Sequence, residues 1–360
     1  MWSKFVCLRA ARLAARHPCH AHPRTFAAAA SSRADHVRIV EVGPRDGLQN
    51  EKQSIPLATK IELVERLAHT GLEYIEAASF VSPKWTPQMA NSSQILEWVL
   101  QNKEKLPPKI VYQWLLPNVK GLDNFLAVMQ AQRGRATENS AGPSIPPRHE
   151  VSIFTAATES FTQKNTNCSI AESLERFKPI MNRGLDMGFN VRAYISVALG
   201  CPYEGPNVDP HKVAELAVSL LEMGASEISV ADTTGMGTAI KTAELLKALD
   251  AAGIDKTDVA LHFHDTYGQA LVNTMVSLEH GIRTFDSAVA GLGGCPYSPG
   301  ATGNVATEDL VHCFHSLGLK TGVDMEKLSE TGEWISQQLG KSNESRAGKA
   351  TMAQKRNPRQ

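Results

Sequence analysis

The sequence predicts an α/β fold, a parallel (β/α)8 barrel (TIM barrel) with its active site at the C-terminal ends of the strands. From residue 37 onward, short apolar β-type runs alternate eight times with helical patterns. Eight such units over about 280 residues match the usual size of this barrel. An open doubly wound sheet, the competing architecture, would carry a G-x-G-x-x-G turn after its first strand. The turn there is instead the charged sequence Gly43-Pro44-Arg45-Asp46-Gly47, which favours the barrel.

Each repeat supplies a strand candidate followed by a helical pattern. In the helix predicted over 57–70, Ile61, Val64 and Leu67 are spaced to form one core face, and Gly71 stands where a helix commonly ends. A second such helix is predicted over 211–223, followed by Gly224. The predicted strands are 37–42, 74–79, 109–115, 150–155, 190–197, 226–231, 258–263 and 284–289.

Three segments lie outside the repeat, so the catalytic barrel domain is predicted to span 35–340. Residues 1–34 contain six Lys and Arg and no Asp or Glu, a composition typical of a mitochondrial transit peptide that predicts delivery to the matrix. A basic tail without a targeting role is the alternative. Residues 132–148 are rich in Gly, Pro, Ser and Arg and predict a surface insertion before the fourth strand. Residues 341–360 predict a flexible basic tail.

The composition excludes several classes of function. Apolar residues make up 42% and charged residues 21%, which is typical of a globular protein with a full core. The formal net charge is zero, but without the basic N-terminus the chain is acidic, which argues against a nucleic acid partner. No apolar run reaches the length of about 20 residues that a membrane span needs. The six cysteines form no C-x-x-C pair, so neither a zinc module nor a disulfide framework is expected.

The most informative polar residues are two histidines at the end of the seventh strand. His262 and His264 are two residues apart, so their side chains point to the same side of a strand. Two imidazoles with a carboxylate such as Asp46 and an amide oxygen form a mixed N/O site that suits a divalent ion. The absence of a thiolate favours Mg²⁺ or Mn²⁺ over zinc. Histidines that are merely hydrogen-bonded to the backbone are the alternative.

Three further residues at predicted strand ends are candidates for chemistry. Arg45 lies in the charged turn after strand one, where a permanent cation could stabilise an enolate oxygen, although a surface ion pair with Asp46 is the alternative. Asp232 follows strand six and is either catalytic or a cap of the next helix. Cys295 lies in a glycine-rich loop, an exposed setting that makes it a candidate proton donor or nucleophile, although a structural cysteine is the alternative.

Five motifs resemble those of one family in content and order, and the resemblance covers about 37–340. They resemble the 3-hydroxy-3-methylglutaryl-CoA lyases, and the basic N-terminus makes the resemblance strongest to the mitochondrial type. The resemblance also places the chain in a wider barrel superfamily that includes acyl-CoA condensing synthases. The motifs are VGPRDGLQNEK at 42–52, SFVSPKW at 79–85, LGCPYEG at 199–205, HFHDTYGQAL at 262–271 and AGLGGCPYSPGATGN at 290–304.

The resemblance implies a role for each matching position. Arg45 corresponds to the residue that stabilises the enolate, and Cys295 to the loop cysteine that protonates the departing carbon. Glu76 and Asp232 correspond to acidic residues that tune the site, while Glu41 and Gln49 join Arg45 in binding substrate. The implied ligands of a Mg²⁺ or Mn²⁺ ion are Asp46, His262, His264 and Asn304.

The implied reaction is metal-dependent cleavage of 3-hydroxy-3-methylglutaryl-CoA to acetyl-CoA and acetoacetate, as in leucine catabolism and ketone-body formation. The resemblance also implies a homodimer in the mitochondrial matrix. Two other interpretations compete with it. An acyl-CoA condensing synthase would share the His pair and Arg45-Asp46, but it would not need a proton donor at Cys295. A catalytically inactive barrel that serves as a scaffold would be expected to lack at least one of the implied ligands, and all four are present.

Overall fold

All eight predicted strands form. The computed structural model describes residues 35–136, 148–294 and 303–357, and the strands pair in parallel, in chain order, into a closed barrel. Strand one closes the ring on strand eight, with Val40 opposite Asp286. The predicted (β/α)8 fold is therefore confirmed. The strands are β1 (Arg38–Glu41), β2 (Tyr74–Ser79), β3 (Val111–Leu115), β4 (Arg148–Ala156), β5 (Asn190–Ser196), β6 (Glu227–Asp232), β7 (Val259–Phe263) and β8 (Thr284–Ser287).

Helices follow the strands and form the outer layer. Strand four is followed by two helices, and two more follow the last repeat. In the described residues no helix has both the length and the apolar character that a membrane crossing requires. The helices are α1 (Leu57–Ala68), α2 (Ser92–Gln101), α3 (Val119–Ala136), α4 (Glu159–Thr166), α5 (Ile170–Asp186), α6 (Pro210–Glu222), α7 (Ala239–Ala251), α8 (Ala270–Glu279), α9 (Thr307–Ser316), α10 (Met325–Leu339) and α11 (Arg346–Arg356).

The apolar core lies between the strands and the helices. Trp114 of β3 and Phe125 of α3 are fully buried, and Phe80 contacts Phe125 edge-on with ring centroids 5.6 Å apart. Strands of a parallel barrel are covered on both faces, so their sequences are nearly continuous apolar runs. This is why eight strands could be recognised from short apolar segments.

The inside of the barrel is polar, unlike the layers of Val, Ile and Leu that usually fill this fold. Hydrogen bonds between strands that are not neighbours cross this interior. Ser152 Oγ of β4 donates to Glu76 Oε1 of β2 at 2.8 Å, and Arg192 Nη2 of β5 donates to Asp286 Oδ1 of β8 at 2.6 Å. These buried pairs lie directly beneath the C-terminal mouth and support the side chains there.

The C-terminal stretch differs from the flexible tail that the sequence predicts, because α11 is a regular helix. Ser345, fully buried, caps it by accepting a hydrogen bond from Gly348 N at 2.8 Å. Near its end, Lys355 pairs with Glu326 and Glu330 of α10. This basic segment lacks a large apolar face, and its contacts with α10 include these charged pairs.

Two other predicted segments lie partly or wholly outside the described residues. Helix α3 continues to Ala136 and β4 begins at Arg148, so both ends of the predicted insertion 132–148 belong to regular elements. Residues 137–147 lie outside the described residues. The predicted transit peptide, 1–34, also lies outside them.

Candidate active site

The turn after β1, Gly43–Gly47, brings Arg45 and Asp46 to the mouth of the barrel. The turn is closed by the backbone, with Asp46 N donating to Val42 O at 2.7 Å. Glu41 lies beneath it, and Glu41 Oε1 accepts from Gly43 N at 2.8 Å. A Cβ atom at position 43 would lie 2.5 Å from that oxygen, so only glycine allows this close approach.

Asp46, His262 and His264 form a cluster in which one ligand atom from each residue lies within 4.8 Å of the others. His262 Nε2 is 3.8 Å and His264 Nε2 is 4.0 Å from Asp46 Oδ2. Asn304 joins them, because its Nδ2 donates to Asp46 Oδ2 at 2.9 Å. The structure thus brings together all four residues that the sequence nominated as metal ligands.

Arg45 is held from two sides and by an aromatic ring. Its Nε donates to Glu76 Oε2 at 2.6 Å, and its Nη1 donates to Asp46 Oδ1 at 2.8 Å. The guanidinium lies 5.3 Å from the ring centroid of Tyr194. Gln49 Nε2 also donates to Asp46 Oδ1, at 2.7 Å. Arg45, Glu76 and Gln49 therefore belong to the same constellation as the cluster.

The charges at the site are set by burial and by neighbours. Burial raises the pKa of Asp46, but Arg45 and the two histidines outweigh burial and the net pKa is lowered. Burial and the neighbouring His262 lower the pKa of His264 to about 4, against an opposing effect of Asp46. At neutral pH, Asp46 is ionised and His264 is neutral, which are the protonation states in which both can bind a cation.

Two predicted site residues, Glu41 and Asp232, hold turns at the mouth of the barrel. Glu41 is fully buried, and its two oxygens accept from Gly43 N, Val289 N and Thr307 Oγ1. Asp232 Oδ2 accepts from Gly237 N at 2.9 Å, and burial raises the pKa of Asp232 to about 6. Asp232 therefore closes the turn after β6, whereas the cap of the next helix is Thr238, whose side chain accepts from Lys241 N.

A cavity of about 980 Å³ opens at the C-terminal mouth. Arg45, Asp46 and both histidines line one side, and Leu115 and Phe154 are among the apolar residues that line it elsewhere. Cys295 lies outside the described residues. The residue before it, Gly294, lines the cavity, and the carbonyl oxygen of Gly294 accepts from Asn50 Nδ2 at 3.1 Å.

Sequence reasoning missed three residues beneath the cluster. Asp286 Oδ2 lies 3.2 Å from His262 Nδ1, Arg192 pairs with Asp286, and Arg192 Nη1 donates to Tyr194 Oη at 2.7 Å. The sequence did contain a signal for them. Arg192 lies inside the predicted buried strand β5, and the oppositely charged Asp286 lies inside the predicted buried strand β8. Buried charges need partners, so the two could have been paired.

An arginine beside an Asp-His-His cluster, in a cavity at the mouth of a parallel barrel, defines a candidate metal-binding enzyme of the barrel class. Comparison with known proteins identifies its family. The family model described as HMGL-like matches residues 36–335. The chain belongs to this family and is an enzyme of the lyase class, which confirms the resemblance seen in the motifs.

Individual relatives agree with the family match. A Pseudomonas aeruginosa protein named 3-hydroxy-3-isohexenylglutaryl-CoA/hydroxy-methylglutaryl-CoA lyase is 50% identical over 317 residues, 88% of this chain and 97% of that protein. The mitochondrial hydroxymethylglutaryl-CoA lyase of Mus musculus is 49% identical over 315 residues, 88% of this chain and 89% of that protein. A crystal structure of hydroxymethylglutaryl-CoA lyase from Pseudomonas aeruginosa matches with a TM-score of 0.79 at 48% identity, covering 89% of this chain and 98% of that one.

Proposed function

We propose that this protein is a divalent-metal-dependent lyase that cleaves 3-hydroxy-3-methylglutaryl-CoA into acetyl-CoA and acetoacetate. The observation that carries the proposal is the cluster of Asp46, His262 and His264 beside Arg45 at the barrel mouth. The names of the relatives in the HMGL-like family support this substrate. We further propose that the enzyme acts in the mitochondrial matrix as a homodimer.

The side chains at the site fit a divalent ion such as Mg²⁺ or Mn²⁺. Among the described residues, Asn304 Oδ1 is a buried polar atom without a hydrogen-bond partner, and an amide oxygen turned toward a cation is one way to satisfy such an atom. Asp46, His262, His264 and Asn304 would hold the ion, a mixed N/O set that suits it. A bound ion of this kind would act as a Lewis acid on the substrate's tertiary hydroxyl and carboxylate.

The residues around the cluster account for the movement of charge and protons. A base at the site, Asp46 or a water molecule beside it, takes the proton of the tertiary hydroxyl. The C2–C3 bond then breaks, so that C3 becomes the ketone of acetoacetate and the electron pair passes to the thioester as an enolate. Arg45 stabilises the enolate oxygen, and Glu76 holds Arg45 in place at 2.6 Å. Gln49 orients Asp46.

Cys295 is proposed to donate the final proton to C2 of the enolate, which yields acetyl-CoA. The contact of Gly294 with the cavity supports this role, because the next residue along the chain is Cys295. Glu41 and Asp232 are proposed to act by holding the turns after β1 and β6, since the contacts of both carboxylates are with those turns or with the neighbouring Val289 and Thr307.

The test is acetoacetate release from 3-hydroxy-3-methylglutaryl-CoA by protein that lacks residues 1–34, with and without Mg²⁺. Cleavage should require the metal and should be lost in His262→Ala. Cys295→Ala should lower kcat by about 10²- to 10⁴-fold, the usual contribution of a positioned acid. Cys313→Ala is the matched control, because Cys313 contacts Met275 on the outer layer. A folded, metal-loaded protein that condenses acetyl-CoA with 2-oxo acids and cleaves nothing would be a synthase instead.

Location and assembly need separate experiments. Residues 1–34 fused to a fluorescent protein should direct it to mitochondria, and replacing the six Lys and Arg residues in that segment with Gln should abolish the targeting, because the proposed signal is basic. Sedimentation analysis of the truncated protein should give twice the mass of one chain. Diffuse fluorescence or a monomer would contradict the corresponding part of the proposal.

A further inference from the structure

The two histidines of the candidate metal site are held differently. His262 Nδ1 lies 3.2 Å from Asp286 Oδ2, whereas His264 Nδ1 is buried and has no hydrogen-bond partner among the described residues. Both rings turn Nε2 toward Asp46 Oδ2. Within the part of the chain that the structure describes, Nδ1 of His262 therefore has a hydrogen-bond partner and Nδ1 of His264 has none.

Asp286 is already surrounded by hydrogen-bond donors. Arg192 Nη2 donates to Asp286 Oδ1 at 2.6 Å and Arg192 Nη1 to Oδ2 at 3.1 Å, while Ser229 Oγ donates to Oδ2 at 2.8 Å. All of these side chains are buried. A carboxylate paired with a guanidinium accepts hydrogen bonds and has no proton to donate. A hydrogen bond to His262 therefore requires the hydrogen to be on Nδ1.

We propose that Asp286 is a positioning residue that holds His262 as the Nδ1–H tautomer, so that Nε2 keeps its lone pair and faces the divalent cation. Arg192 holds Asp286 in turn. In known metal sites a carboxylate behind a histidine ligand fixes the ring in this way, and its loss typically weakens metal binding by about 10- to 100-fold. The inference rests on the proposed metal site, and it makes His262 the anchored ligand of the pair.

Arg192 also supplies a matched control. Its Nε donates to Glu227 Oε1 at 2.7 Å, so Arg192 bridges two buried carboxylates. Glu227 pairs with Arg38 and Arg192, and none of its described contacts is with His262. Asp286→Asn and Glu227→Gln each remove one negative charge beside Arg192 without changing the shape of the side chain. Only the first of these changes alters the contact with His262.

The experiment measures the Kd of Mn²⁺ by electron paramagnetic resonance, without substrate, for the wild-type protein and both variants. Asp286→Asn should raise the Kd by about 10- to 100-fold, and Glu227→Gln should leave it unchanged. An unchanged Kd in Asp286→Asn would overturn the proposal. So would an equal rise in both variants, because the effect would then come from the charge balance of the interior.

A second measurement needs no variant and therefore stands even if Asp286→Asn does not fold. In ¹⁵N-histidine spectra of the metal-free wild-type protein, His262 should be the Nδ1–H tautomer. Finding its hydrogen on Nε2 would overturn the inference. Neither measurement depends on turnover, so an inactive protein would count against the proposed reaction, whereas a wrong tautomer would count against the role of Asp286 alone.

Discussion

Arg45 Nε and Glu76 Oε2 lie 2.6 Å apart, in a pair that is almost completely buried beneath the mouth of the barrel. Glu76 is also held by Ser152, which donates to its second oxygen. The pair orients the guanidinium toward the cavity and neutralises a charge that burial would otherwise make costly. The orientation of Arg45 therefore depends on Glu76 of β2. The same strand also lines the cavity through Ser79.

Replacing Glu76 with Gln should destabilise the fold and lower kcat together. Removing one partner of a buried ion pair costs about 3 kcal/mol, and Arg45 would lose the contact that aims it. The measurement is urea-induced unfolding together with kcat of the variant. Glu62→Gln is the control, because Glu62 and Arg66 form an exposed pair, and an exposed pair contributes less than about 1 kcal/mol. Equal losses in both variants would argue against a special role for the buried pair.

A divalent ion should stabilise the folded protein. With Mn²⁺ at about 100 times its Kd, the free energy of unfolding should rise by about 2.7 kcal/mol. Asp46→Asn should show a much smaller increase, because Asp46 is the carboxylate of the cluster. His280→Ala should behave like the wild-type protein, since His280 follows the C-terminal end of α8. Stabilisation that survives in Asp46→Asn would place the ion elsewhere.

Glu41 should make the protein less stable as pH rises. Burial, opposed by hydrogen bonds from Thr307, Val289 and Gly43, raises the pKa of Glu41 from 4.5 to about 7. A carboxyl group whose pKa is raised on folding contributes stability below pH 4.5, and that contribution is lost as pH rises through about 7. The free energy of unfolding should therefore fall relative to Glu41→Gln over this range, by about 3 kcal/mol at most. Parallel pH profiles for the two proteins would contradict the raised pKa.

Ser345→Ala should destabilise the C-terminal helix. Ser345 Oγ accepts from Gly348 N and donates to Asp309 Oδ1 at 2.7 Å, so the change removes a helix cap and a buried hydrogen bond. A loss of about 1 to 2 kcal/mol in the free energy of unfolding is expected. Ser342→Ala, at an exposed serine nearby, should cost little. If both variants unfold alike, α11 contributes nothing through its cap.

Much of the fold and part of the site could be predicted from local sequence. The apolar runs mark strands because parallel strands are buried on both faces, and the two-residue spacing of His262 and His264 determines that they share a side. The C-terminal helix could not be predicted in this way, because its contacts with Asp309 and with the acidic residues of α10 join positions far apart in the sequence. A composition that suits a flexible tail also suits a helix with a charged partner.

Local sequence was enough to predict the barrel, its mouth and the residues at the strand ends, because the strand period is a local property and the strands follow one another in chain order. The pairing of charges inside the barrel, by contrast, depends on how the closed barrel brings distant strands together. Arg192 and Asp286 are 94 positions apart, and they pair because the barrel closes β8 against β1 and directs both side chains into one interior. The tertiary structure also shows that the carboxylates of Glu41 and Asp232 accept hydrogen bonds from neighbouring turns, since the direction of a side chain at the end of a strand depends on the hydrogen-bond donors that surround it.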